Sequence, residues 1–181
     1  MPATLFDPIR IGAIEAPNRI FMAPLTRGRA TRGHVPTSMM AEYYAQRASA
    51  GLIISEATGI SQQGLGWPYA PGLWSAEQTA AWRPVTEAVH AAGGRIVAQL
   101  WHMGRIVHPS FINGEKPVSA SATTAPDKAH TYDGKQPYVE GASAARRRDP
   151  CPSRGLSKRR AQRDDGGLRR RPDPRRQRLL D

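Results

Sequence analysis

The sequence predicts an α/β fold built on a parallel sheet, and three observations carry that prediction. Apolar runs of strand length at 51–57 and 95–101 each follow a helix-length segment that ends in glycine. Strand, helix, strand, helix, strand then recur with one rhythm, which is the pattern of right-handed crossovers between parallel strands. No Gly-x-Gly-x-x-Gly follows the first strand, which weakens a dinucleotide-binding fold. The rhythm alone fits an open doubly wound sheet or the start of a (β/α)8 barrel.

Each element has its own signal. Segments 9–14 and 19–22, joined through Glu15-Ala16-Pro17-Asn18, suggest a short hairpin that leads into the first strand. Pro24 has no N–H for a ladder, so that strand should stop there. Thr37 or Ser38 is placed to cap a helix over 38–50, with Gly51 as its C-cap. The run 51–57 is short, apolar and typical of a strand buried on both faces. After a Gly/Pro-rich loop, Ser75 and Gln78 form a capping-box pattern. The helix they open runs through Trp82, Val85 and Val89 to Gly93-Gly94, and a strand at 95–101 follows. Residues 103–139 are a long excursion rich in Gly, Pro, Ser and Thr, a length that points to a functional or a disordered loop.

Charge divides the chain into two parts. Residues 1–140 hold 12 Lys+Arg against 10 Asp+Glu, whereas residues 141–181 hold 14 Lys+Arg against 5 Asp. The overall +11 is therefore mostly a property of the last 41 residues. That segment lacks Glu, Val, Ile, Met, Phe, Tyr and Trp, so it cannot bury a core and is expected to be disordered. A nucleic-acid-binding arm is the alternative function, since Arg and Lys neutralise phosphates. No aromatic residue is interleaved to stack on bases, which makes nucleic acid a poor partner. The lone Cys151 excludes a disulfide framework in the front part. No signal peptide or membrane-length apolar run is visible, so a cytoplasmic protein is expected.

Three segments at the expected strand ends hold the residue types of a binding site: Met22-Ala23-Pro24-Leu25-Thr26-Arg27, Ser55-Glu56-Ala57-Thr58 and Gln99-Leu100-Trp101-His102-Met103-Gly104-Arg105. Taken singly, Thr26 suits a turn, Gln99 a satisfied core amide, and Trp67 and Trp101 ordinary packing. His102 and His108 have no third ligand arranged with them, so a metal site is rejected. The order and spacing of the three segments, with the loop Gly66-Trp67-Pro68-Tyr69-Ala70-Pro71-Gly72, resemble the Old Yellow Enzyme family of flavin-dependent ene-reductases. The resemblance covers residues 1–140.

The resemblance implies a TIM (β/α)8 barrel, here incomplete, with the hairpin and about three of the eight strand–helix units. It implies FMN as cofactor, NAD(P)H as reductant and an electron-poor alkene or related small molecule as acceptor. Ala23, Pro24, Leu25 and Thr26 would lie along the flavin, with the Thr26 hydroxyl donating to the C4 carbonyl oxygen. Ala57 would leave room for the ring, and the Gln99 amide would match its mixed donor and acceptor edge. Trp67 and Trp101 would line the substrate side; at the Trp67 position family members often carry Tyr. No catalytic residue is assigned, because the family's His/Asn pair and proton-donor Tyr are absent from the chain as written.

The tail offers a reason for that absence. If the last two bases of each codon are joined to the first base of the next, residues 167–181 permit Gly-Phe-Asp-Gly-Val-Gln-Ile-His-Ala-Ala-Asn-Gly-Tyr-Leu-Ile. That string resembles the next family motif, with its flavin-contacting His and Asn and its proton-donor Tyr. A frameshift near Glu140-Gly141 is therefore expected, with 1–140 the front of a barrel and 141–181 read out of frame. On this expectation the 181-residue chain itself retains no FMN and oxidises no NADPH.

Overall fold

The computed structural model describes residues 2–144. A hairpin of β1 (Ile9–Ile11) and β2 (Ile14–Ala16) opens the chain, and three parallel strands follow it: β3 (Phe21–Met22), β4 (Leu52–Gly59) and β5 (Ile96–Trp101). They are hydrogen-bonded in the order β3-β4-β5, with helix α1 (Ser38–Ala45) between the first two and α2 (Ala76–Ala91) between the last two. Each strand thus lies beside its predecessor through a helical crossover. The described residues hold three parallel strands and the two helices that connect them, in keeping with the expected hairpin and about three strand–helix units.

Two expectations near the N-terminus are corrected. The hairpin turns at Gly12-Ala13, not at Glu15-Ala16-Pro17-Asn18, so that Ile11 faces Ile14 and Ile9 faces Ala16. Gly12 has φ +57°, the left-handed backbone that a two-residue turn requires and that glycine adopts freely. Within segment 19–22, Phe21 and Met22 are then not a hairpin arm but the start of the parallel sheet, with Phe21 opposite Leu52. The second correction concerns Gly51. Helix α1 ends at Ala45, and residues 46–50 continue as turns, so Gly51 is not its C-cap. A Cβ at Gly51 would stand 2.1 Å from the Asn18 carbonyl oxygen. The Gly51 N–H also donates to the Ile20 carbonyl and to Asn18 Oδ1, both at 2.9 Å. Gly51 is glycine because two backbone segments meet there.

Helix α2 forms as its sequence signals indicate. Ser75 Oγ accepts from the Gln78 N–H at 3.1 Å, and Gln78 Oε1 accepts from the Ser75 N–H at 3.2 Å. At the other end Gly93, at φ +81°, closes a Schellman motif in which the Gly94 N–H reaches the Val89 carbonyl and the Gly93 N–H that of His90. The spacing of Trp82, Val85 and Val89 puts them on one face, where they pack with Met40 and Tyr44 of α1 and with Ile53 and Ile96 of the sheet. That buried layer holds the helices against the sheet and fixes where the strand ends lie.

The excursion is ordered rather than disordered. It contains 3₁₀ turns at Gly104–Ile106 and Pro109–Phe111, a two-residue strand β6 (Val118–Ser119) and an antiparallel pair, β7 (Lys128–Thr131) with β8 (Gly134–Pro137). Tyr132, at the tip of that pair, packs edge-on against Tyr69 and tilted against Phe111. The contacts tie the excursion to the loop after β4. Strand β9 (Ala142–Ser143) pairs in parallel with β6, so four residues of the expected tail, 141–144, are part of the fold. Composition missed them because small side chains say nothing of backbone pairing. The expected disorder and frame reading from residue 145 onward lie outside the described residues.

Candidate active site

The three predicted segments come together at the C-terminal ends of three adjacent strands. Ala57, on the middle strand, is opposite Gln99 in the β4–β5 register, and the Ala23–Thr26 run leaves the end of β3 on the other side of β4. The end where these loops gather is where a parallel barrel carries its chemistry. Ala57 is buried, and Pro24 and Thr26 are half-buried. Ala23, Leu25 (64% exposed) and Gln99 are open to solvent. Neither the Thr26 hydroxyl nor the Gln99 side-chain amide has a hydrogen-bond partner among the described residues. A small buried residue thus has an uncommitted polar side chain on each side and exposed apolar surface beside it. That donor set fits a flat ring with a polar edge.

A break in strand regularity shapes this end. The β4–β5 register slips between Ile54 and Ala57, which takes Ser55 and Glu56 out of the paired register. Side chains replace the missing bonds. Ser55 Oγ accepts from the Gln99 N–H at 3.3 Å, and the Ser55 and Thr58 hydroxyls both donate to the Glu56 carbonyl at 2.9 Å. The Glu56 N–H donates to the Tyr44 hydroxyl oxygen at 2.8 Å.

Glu56 is the residue that sequence reasoning passed over. It is 1% exposed, and both of its carboxylate oxygens accept hydrogen bonds. Oε2 accepts from the backbone N–H groups of Arg27 at 3.1 Å and Gly28 at 3.4 Å, while Oε1 accepts from the Tyr44 hydroxyl at 3.3 Å. Burial pushes its pKa up from the ordinary 4.5, and the N–H donors oppose that shift only in part. Burial also pushes the Tyr44 hydroxyl up, with the Glu56 charge adding to it. The signal was a charged residue inside a strand buried on both faces, where a satisfied role is required.

The predicted tryptophans are not paired with each other. Trp67, half-buried, packs at a tilt against His130 of β7, with 4.8 Å between ring centroids. Trp101 is half-buried at the last position of β5, opposite Gly59. His102 and His108 serve local turns: Nδ1 of each accepts a backbone N–H two residues on, from Gly104 and Ser110. Among the described residues no group of three or more His, Cys, Asp and Glu could hold a metal ion. None of the helices there is long and apolar enough to cross a membrane.

The loops around the site brace one another. His34 Nδ1 donates to the Ala70 carbonyl at 2.8 Å, the Gly72 N–H donates to the His34 carbonyl, and the Ala30 N–H donates to the Tyr69 carbonyl. His34 and Tyr69 both hold positive φ, at 63° and 55°, a strained conformation for a non-glycine residue. Burial pushes the His34 pKa below its ordinary 6.5, which favours the neutral ring between these loops.

Residues 4–145 match the NADH:flavin oxidoreductase / NADH oxidase family. The chain belongs to that family. Among solved structures it resembles the Old Yellow Enzyme homologue of Zymomonas mobilis, with a TM-score of 0.87 and 61% identity over 92% of this chain and 46% of that one. Morphinone reductase in complex with tetrahydroNAD gives a TM-score of 0.78 at 40% identity, over 91% of this chain and 46% of that one. The flavin oxidoreductase hxnT of Emericella nidulans is 46% identical over 130 residues, which are 69% of this chain and 34% of hxnT. The architecture is accordingly the front of a TIM barrel of the Old Yellow Enzyme type. The chain spans about a third of hxnT and under half of the two solved chains.

Proposed function

We propose that the described residues form one side of an FMN site in an oxidoreductase that reduces activated C=C bonds, or related electrophiles, with NAD(P)H. The observation that carries this reading is the pair of uncommitted polar groups, Thr26 and Gln99, on either side of buried Ala57. When bound, FMN would supply two-electron redox chemistry between NAD(P)H and an electron-poor alkene.

This chain's residues bind and orient. The Thr26 hydroxyl is the donor for a ring carbonyl, and the Gln99 amide donates and accepts at the pyrimidine edge. Ala23, Pro24 and Leu25 supply apolar surface along the ring, and Ala57 keeps space open that a larger side chain would fill. Trp67 and Trp101 border the substrate side. A Trp at position 67 has only an indole N–H to offer a substrate, which sets it apart from a Tyr with a hydroxyl that both donates and accepts. The tetrahydroNAD held by morphinone reductase supports NAD(P)H as the reductant here.

We further propose that a frameshift near Glu140-Gly141 puts the tail out of frame and that the family's His, Asn and Tyr are encoded in the shifted frame. Resequencing across codons 138–145 tests the frame; an intact reading frame with this same tail in independent clones would overturn a sequencing error. The activity test is NADPH oxidation by the frame-restored protein, with and without an α,β-unsaturated ketone. Oxidation that depends on the ketone is expected. Restored protein that carries no flavin and leaves NADPH untouched contradicts the assignment.

A further inference from the structure

We propose that Glu56 is the positioning residue for Thr26, its buried carboxylate locking the peptide between Thr26 and Arg27 against the end of β4. The proposal rests on the reading of Thr26 as a flavin ligand, which it deepens.

The geometry is direct. The Arg27 N–H belongs to the peptide unit that begins at the Thr26 carbonyl, so a bond from that N–H to Glu56 Oε2 sets the plane of the unit. The Gly28 N–H, on the same oxygen, fixes the next unit. Two successive N–H groups converging on one carboxylate oxygen leave the backbone at Thr26 little freedom to turn. Arg27 and Gly28 lie beyond the end of β3, so these two bonds take the place of strand pairing.

Further contacts surround this arrangement. Tyr44, wholly buried on α1, takes the Glu56 N–H and gives its own hydroxyl hydrogen to Oε1. Arg27 lays its guanidinium on the Tyr43 ring at 3.9 Å, and Arg47 lies on the same ring at 3.7 Å. Gly28, at φ +60°, brings its backbone so near Pro68 that a Cβ would stand 3.3 Å from the Pro68 carbonyl oxygen. A cavity of about 50 Å³ lies beside Glu56, bordered by Arg27, Arg29, Met39, Met40 and Tyr43.

A buried carboxylate is costly, and burying it for packing alone has no advantage over an apolar side chain. Its position makes sense if the return is a fixed direction for Thr26. The bulge in β4 serves the same end, because it releases Glu56 from the paired register so that its N–H can turn to Tyr44.

Amide hydrogen exchange on the 181-residue chain tests this with no flavin present. In Glu56→Met, which keeps length and removes both acceptors, the Arg27 and Gly28 amides should exchange at least about tenfold faster, while amides of α2 stay within about twofold. Glu56→Gln keeps an acceptor oxygen for both N–H groups and should restore most of the protection. Unchanged exchange at Arg27 and Gly28 in Glu56→Met, with α2 still protected, overturns the proposal. So does acceleration shared equally by α2, which would mean that Glu56 acts only on global stability. If Glu56→Met fails to fold, Glu56→Leu with the Arg27 and Gly28 amides read against α2 gives the same decision. Failure of the flavin reading is separate: it appears as absence of FMN from the frame-restored protein and leaves the exchange result intact.

Discussion

Tyr44→Phe removes one oxygen from the core, and the structure fixes what that oxygen does. Phe fits the same space, so packing against Met40, Trp82 and Ile53 is kept. What disappears is the acceptor for the Glu56 N–H at 2.8 Å and the donor to Glu56 Oε1 at 3.3 Å. Both partners lie on a residue that is 1% exposed, so bulk solvent does not reach the lost bonds. A buried N–H left without a partner costs about 1–3 kcal/mol, and a long bond to a carboxylate adds about 1 kcal/mol. The expected loss is therefore about 2–4 kcal/mol. With a urea slope of roughly 2 kcal/mol/M for a domain of this size, the midpoint falls by about 1–2 M. Tyr43→Phe is the control. The Tyr43 hydroxyl has no hydrogen bond among the described residues, and its ring remains between Arg27 and Arg47. Its midpoint should move by less than the equivalent of about 0.5 kcal/mol. Equal small shifts in the two variants would refute the claim that side chains replace the ladder at the β4 bulge.

Other expectations follow from the same contacts. Gly51→Ala places a methyl group 2.1 Å from the Asn18 carbonyl oxygen, and because that atom is backbone the chain must move. A loss of about 3 kcal/mol or more is expected in urea unfolding, and a loss below about 1 kcal/mol would show that the β3–β4 junction is not close-packed. Acidification should weaken the fold through His34. Its folded pKa lies below the ordinary 6.5, so its contribution is present above pH 6.5 and is lost as pH falls through the folded value. Glu56 acts in the opposite sense: with its pKa raised above 4.5, its contribution is present at low pH and is lost as pH rises through the folded value. Comparing the wild type with His34→Asn, which tolerates the positive φ, isolates the histidine part. The urea midpoint of the variant should fall less between pH 7.5 and 5.5, and parallel curves would contradict the assignment.

The fold was legible in the sequence wherever a local signal matched a tertiary need. Ser75 and Gln78 capped α2 as a pair, and Gly93-Gly94 closed it, because both motifs are complete within a few residues. The grouping of the candidate residues was legible through small motifs at strand ends: Thr26, Ala57 and Gln99 come to one end of the sheet. What was not legible depends on contacts far apart in sequence. Gly51 reads as a helix cap until Asn18 is seen beside it. Gly12 is masked because Pro17-Asn18 is the louder turn signal. The excursion is held by Tyr132 against Tyr69 and Phe111, and no local pattern announces that cluster. Glu56 was visible as an anomaly in an apolar strand, but its partners, Tyr44 and the Arg27 and Gly28 N–H groups, are brought to it only by the crossover.

Whether Thr26 and Gln99 form the polar edge of an FMN site is tested most directly by titrating FMN into the frame-restored protein and following flavin fluorescence. Stoichiometric binding by the wild type is expected. Affinity should weaken by roughly 10- to 100-fold in Thr26→Ala and Gln99→Ala, each having lost one or two hydrogen bonds worth about 1–3 kcal/mol together. FMN affinity that is unchanged in both variants, or no binding by the restored wild type, would contradict that role for the two residues.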